Sequence, residues 1–202
     1  MSTTFWVWVH LSFLLLVGRL LIRLTRQWEL PIKGYAAALL LIGALSMMPY
    51  QGVDLAGWLL ALTGMLSVGS LLVLLLGILP RLGMKFEIDQ DQQRGSWPLW
   101  LILGMVLYPA ALGWISLDTY AWGYDHRMSW ICLGLSPLFW LLRQRLIGLW
   151  LSLSVLAWTM ELGESSNLWD YLIDPWLVMA AIIWPIGQLF SKRPHQVGQE
   201  GP

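Results

Sequence analysis

The sequence predicts an all-α fold: a polytopic integral membrane bundle of seven transmembrane helices, N-terminus outside and C-terminus cytoplasmic. Three observations lead there. The 202 residues are 57% hydrophobic and only 12% charged, against about 25% charged in an average soluble domain. The apolar residues fall in long runs, as a lipid environment requires. The basic residues partition by loop. With seven spans, Arg23, Arg26, Lys33, Arg81, Lys85, Arg94, Arg143, Arg145, Lys192 and Arg193 all reach the cytoplasmic side, as the positive-inside rule asks. Arg127 falls outside, and Arg19 lies within the first helix near its inner end.

The spans follow in order. The chain opens Met-Ser-Thr-Thr, with no basic residue and no small-x-small cleavage site, and its arginines come after the apolar run. That is an uncleaved anchor rather than a signal peptide. The first span covers 5–24, and a basic connection leads to the second, 34–49. An outer turn with Gln51, Gly52 and Asp54 leads to the third, 57–79. The longest inner loop, 80–96, carries Arg81, Lys85, Glu87, Asp89, Asp91 and Arg94. Its acids lack the glycine and closing glutamate of a calcium loop, so it reads as a polar connector. The fourth span is 97–116, and an outer loop runs over 117–128.

The fifth and sixth spans, 129–142 and 146–160, are joined by a tight turn at Arg143-Gln144-Arg145. A single long helix over this stretch would move the 161–174 loop inside and the Lys192-Arg193 tail outside, against the charge rule. The seventh span is 175–190. Residues 1–190 are expected to form one transmembrane domain, followed by a polar cytoplasmic tail at 191–202.

Two packing features stand out. Gly57, Ala61, Gly64 and Ser67 form a small-residue stripe that would admit a close neighbour. Segments 99–109 and 175–185 share a tryptophan followed at one offset by an aromatic-proline pair, the pattern of a weak inverted repeat. The 15 tryptophans suit a membrane interface, which serves both the apolar ring and its N–H.

Chemistry is expected on the outer face. The 117–128 loop alternates acids with aromatics: Asp118, Tyr120, Trp122, Tyr124, Asp125, His126 and Arg127. Rings there could stack a sugar, carboxylates could bind its hydroxyls, and Arg127 could hold a phosphate. An aromatic belt with a local Asp–Arg pair is the plainer account. Glu161 and Glu164 could join this set from the 161–174 loop, whose acids otherwise read as a solvated rim. Metal-ligand spacing is lacking, so neither metal nor cofactor is expected. Cys132 lies alone in an apolar run and reads as a packing residue. His10 and Arg19 are the two ionisable groups placed within spans, and His10 is expected to bond a neighbouring helix. The nucleophile elbow, paired zinc histidines and phosphate-binding glycine loop are all missing.

Size, tryptophan content and charge partition resemble small bacterial inner-membrane proteins, without a specific motif. The leading expectation is a multi-pass inner (plasma) membrane protein. It would act as a non-catalytic subunit or accessory factor of an envelope system that processes or transports lipids or lipid-linked saccharides. Its expected partners are the bilayer, a membrane protein or a second copy, and a lipid headgroup or saccharide, with no nucleic acid. The alternatives are an outward-facing enzyme, with Asp118, Asp125, His126 and Glu161 as acid–base candidates, and a small transporter or flippase.

Overall fold

The computed structural model describes residues 3–25, 27, 30–84 and 90–191. Arg26, Glu29, Lys85, Glu87, Asp89, Lys192 and Arg193 lie outside the described residues. The fold is helical: α1 Thr3–Leu24, α2 Ile32–Ser46, α3 Leu55–Thr63, α4 Val68–Ile78, α5 Gln90–Ala111, α6 His126–Leu141, α7 Arg145–Thr159, α8 Leu168–Leu172 and α9 Pro175–Ser191. Among the described residues the one sheet is a hairpin of β1 Pro49–Tyr50 and β2 Val53–Asp54. Gln51 and Gly52 both have positive φ at its tip, the geometry a tight hairpin turn selects.

Among the described residues, α1 is the one helix both long and apolar enough to cross a bilayer by itself. Segments Ile32–Ser46, Arg145–Thr159 and Pro175–Ile186 are apolar but shorter. A 15-residue helix such as α2 or α7 spans roughly 22 Å at 1.5 Å per residue, against about 30 Å of hydrocarbon. The surface is nevertheless apolar: Leu40 (77%), Leu62 (79%), Trp130 (71%) and Leu141 (81%) stand exposed. Large apolar patches of this kind mark an interaction surface.

Helices α4 and α7 form the centre, packed on each other, with α1 and α9 against α4 and α5 and α6 against α7. Trp100 and Trp150 are essentially fully buried there, edge to face at 6.0 Å between ring centroids. The α6–α7 hairpin closes on Gly148, where a Cβ would come 2.9 Å from the Ser136 carbonyl. Ser136 Oγ donates to Gly148 O at 2.8 Å across this seam, the close approach that a small residue permits. The 142–144 turn is a helix-ending αL motif, with Arg143 at φ 61 and Gln144 N donating to Phe139 O. Helices α5 and α9 run antiparallel, with Trp97 stacked on Trp184 and Gly104 against Val178.

Three sequence expectations need correction. The 57–79 segment is two helices, α3 and α4, broken over 64–67. Gly64 has φ 70 and ψ −177, a conformation that is in practice available only to glycine. Ser67 then caps α4 through its side chain, accepting from Ser70 N at 3.2 Å. The small-residue stripe therefore does not lie along one helix. Second, helix α5 begins inside the expected 80–96 loop and ends at Ala111, with Gly113 (φ 73) turning the chain just beyond it. Third, only the start of the 161–174 stretch is a solvated rim: Glu161 and Glu164 are exposed, but the chain then turns inward through α8, with Leu168, Tyr171 and Leu172 at 0–1% exposure and Asp174 buried.

The two ends of the bundle differ in charge. Thr4 Oγ1 donates to Glu161 O at 3.3 Å, and His10 Nε2 lies 3.6 Å from Asp54 Oδ2. These contacts gather the start of α1, the hairpin and the 161–174 segment at one end. At the other, Arg19 meets Gly77 and Arg81 lies over Tyr35.

Candidate functional site

A cavity of about 830 Å³ opens at the acidic end, between α6, α7 and the 161–166 segment. Its apolar wall includes Trp130 and Leu133 of α6 and Val155 and Trp158 of α7. Its polar rim includes His126, Ser129, Glu161 and Glu164. Of the residues picked from sequence, His126, Glu161 and Glu164 thus line one space.

Each is placed by a local device. His126 is the first residue of α6, and its ring stands edge-on to Trp158 at 5.2 Å. Trp158 is fixed in turn by its indole N–H, which donates to Ser166 O at 2.8 Å. Glu161 ends α7 in the left-handed conformation, φ 50, with Leu162 N donating to Ala157 O at 3.0 Å. Glycine normally fills this position, so a carboxylate is held at the cavity mouth at a conformational cost.

The remaining candidates act locally. Asp118 accepts from Ala121 N at 3.0 Å and turns the loop. Asp125 caps α6 by accepting from Arg127 N at 2.9 Å, and its other oxygen lies 3.7 Å from Arg127 Nε. The Arg127 side chain is 89% exposed, so Arg127 is the surface partner of Asp125. Trp122 and Tyr124 are about half exposed, and neither lines the cavity.

Tyr120 belongs to a buried lattice beneath the rim. Its hydroxyl donates to Asp170 Oδ2 at 2.8 Å, which Ser165 Oγ also reaches. Burial first, then this bond to Asp170, pushes the phenol well above its ordinary range. Asn167, 0% exposed, donates from Nδ2 to Tyr120 O and accepts at Oδ1 from Trp169 N, both at 2.9 Å. Trp169 Nε1 donates to Thr119 O at 2.9 Å. Glu164 and Ser165 also line a second cavity of about 500 Å³ on the other side, together with Tyr108, Tyr120, Asp170 and Asp174.

Sequence reading missed Ser129, Trp130, Trp158 and Ser165. Each lies in a span or in an unremarkable polar stretch. The available signal was the serine and tryptophan content at the start of 129–142 and the end of 146–160. Among the described residues no group of three or more His, Cys, Asp or Glu is placed to hold a metal ion. Cys132 is buried and free. His10 Nδ1 lies 2.9 Å from Trp6 O. A carbonyl only accepts, so Nδ1–H is the donor in that bond, and Nε2 lies 3.6 Å from Asp54 Oδ2. Comparison of the chain with protein-family models, with curated proteins and with solved structures gives no match.

Proposed function

We propose that this chain is a multi-pass inner-membrane protein that holds an amphiphile, a lipid or lipid-linked saccharide, at its outer face. It would serve as a non-catalytic subunit or accessory factor of an envelope system handling such molecules. The carrying observation is the cavity between α6 and α7. Its Leu133, Val155 and Trp130 wall suits an acyl or isoprenoid chain, and its His126, Ser129, Glu161 and Glu164 rim suits a hydroxylated or amine-bearing headgroup. No arginine or lysine lines it, which disfavours a bare phosphate as the recognised group.

The seven-span reading belongs to this proposal. Its supports are the basic residues, which apart from Arg127 fall at the end opposite Asp54, Glu161 and Glu164 in that reading, and the exposed leucines along the helices. Short helices are accommodated by local bilayer thinning at modest cost.

The test is photo-crosslinking in native membranes from a benzophenone amino acid at Leu133, with exposed Leu141 as the control. A discrete lipid-linked adduct or a single protein partner at Leu133, absent at Leu141, is expected. Identical bulk-lipid labelling at both positions would sink the proposal.

The enzyme reading keeps one point in its favour: His126 and Glu161 share the cavity. An acid–base pair, however, needs hydrogen-bond reach to a reacting group. Activity lost in His126→Ala and Glu161→Gln with the adduct retained would favour catalysis. The transporter reading draws on the α3–α4 break, since broken helices build transport sites. Here the break is occupied by the protein itself. Trp176 Nε1 donates to Thr63 O, Trp8 Nε1 to Leu66 O, and Ser67 N to Asp174.

A further inference from the structure

At the end of the bundle opposite the cavity, three guanidiniums converge. Arg19 of α1 donates from Nη1 to Gly77 O of α4 at 2.5 Å, and its guanidinium occupies the space a side chain at 77 would fill. Arg23 follows one turn later on α1. Arg81 follows one turn after Gly77, in the 3-10 turn Leu79–Leu82. Arg19 and Arg23, four residues apart, share one face of α1, and Arg19 reaches the turn of α4 that Arg81 follows. Arg81 Cζ stands 6.0 Å above the Tyr35 ring. Tyr35 is 2% exposed, and its hydroxyl has no partner. Among the described residues no carboxylate forms a salt bridge with any of the three arginines.

Arg19 and Arg81 are partly buried, and like charges so placed raise one another's energy unless an anion joins them. A guanidinium carries five N–H donors, and Arg19 spends one on Gly77. A phosphate offers several acceptor oxygens to such forks and to a phenol. The neighbouring surface is apolar: Leu20, Leu24 and Ile32 are each more than half exposed. A soluble anion has no use for that surface, whereas a lipid's chains do.

We propose that Arg19, Arg23, Arg81 and the Tyr35 hydroxyl form a site for the phosphate of an anionic phospholipid, with Leu20, Leu24 and Ile32 along its acyl chains. The site rests on the membrane reading above and is independent of the α6–α7 cavity. It ties α1, α2 and α4 together at the end where their own charges would part them.

Native mass spectrometry of the full chain in mild detergent tests it, with phosphatidylglycerol, phosphatidylcholine or inorganic phosphate added. Phosphatidylglycerol adducts should exceed phosphatidylcholine adducts. Arg81→Gln and Arg23→Gln should each reduce that preference about fivefold. Tyr35→Phe should reduce it less, and Arg127→Gln, an exposed arginine at the opposite end that lines no cavity wall, should leave it unchanged. Arg23 is exposed, so its variant remains informative if Arg81→Gln fails to elute as a folded monodisperse species. Equal adducts of both lipids, unmoved by the variants, would overturn the site. Binding of inorganic phosphate that the variants abolish, without a preference between lipids, overturns the lipid assignment and leaves a soluble-phosphate site.

Discussion

The buried carboxylate of Asp174 accepts the backbone N–H of Ser67 at 2.7 Å, across 107 positions of sequence. Its other oxygen accepts from Leu177 N at 2.8 Å, at the start of α9. One side chain, 3% exposed, thus closes the starts of two helices, α4 after the break and α9. Both ends carry partial positive charge from unpaired N–H groups. That is why a carboxylate is tolerated at this depth.

Removing it should loosen both joints at once. Asp174→Ala leaves Ser67 N–H unsatisfied and α9 uncapped. The expected loss is about 2–4 kcal/mol from a lost cap and a stranded donor. Asp174→Asn keeps an acceptor for one of the two and should lose about half as much. Thermal unfolding in detergent measures both. Equal, near-zero losses would mean that the two helix starts do not depend on this residue.

Gly123 sits where a Cβ would overlap Asn167 Oδ1 and crowd the Trp169 ring. Asn167 cannot give way without breaking its bonds to Tyr120 O and Trp169 N. Gly123→Ala should therefore cost about 1–3 kcal/mol, the range of overpacking. Limited proteolysis should then cut the 117–124 and 161–170 segments together, because one residue clamps both. Cleavage confined to either one would separate them.

The Tyr120–Asp170 bond gives this hydrogen-bonded lattice a pH limit. Burial and the Asp170 carboxylate raise the phenol above its ordinary value, which is about 10 in an unfolded chain. A raised pKa means the folded state retains its proton longer. Its contribution is complete below about pH 10 and is lost as pH climbs toward the folded value. Unfolding curves from pH 7 to 11 should show stability flat and then falling above 10. Tyr120→Phe should start lower by about 1 kcal/mol, the worth of one bond, and fall less steeply. Parallel curves for the two proteins would remove Tyr120 from the alkaline transition.

The helices were legible because apolar runs and basic punctuation declare them. The Arg143–Arg145 turn was legible for the same reason. The break at 64–67 was not, since Gly64-Met65-Leu66-Ser67 is as apolar as its flanks. Only the Gly and the Ser-x-x-Ser start of α4 mark it. The 161–174 segment misled through its acids. Asp170 and Asp174 read as solvated, yet both are held by donors from distant segments that sequence cannot place. In the candidate site, His126, Glu161 and Glu164, read from two loops of one face, line one cavity. Asp118 and Asp125 were indistinguishable from them, because an aspartate that caps a turn and one that binds a ligand look alike in sequence.

Glu161 offers the sharpest separation of stability from function. It ends α7 at φ 50, a conformation that disfavours any side chain and suits glycine. Arg143 ends α6 in the same way at φ 61 and lines neither the cavity beside α6 and α7 nor the one beneath Tyr120. Replacing either by glycine should relieve the strain and raise stability by about 0.5–1 kcal/mol, net of glycine's greater unfolded entropy. Only Glu161→Gly should also lose the discrete adduct at Leu133, since it removes a carboxylate from the cavity rim. Thermal unfolding and crosslinking on the same two proteins decide it. If both variants gain stability and both keep the adduct, the strained glutamate serves no ligand. If Glu161→Gly alone loses stability, its side chain holds the fold instead, and the cost of its backbone is balanced by a structural bond.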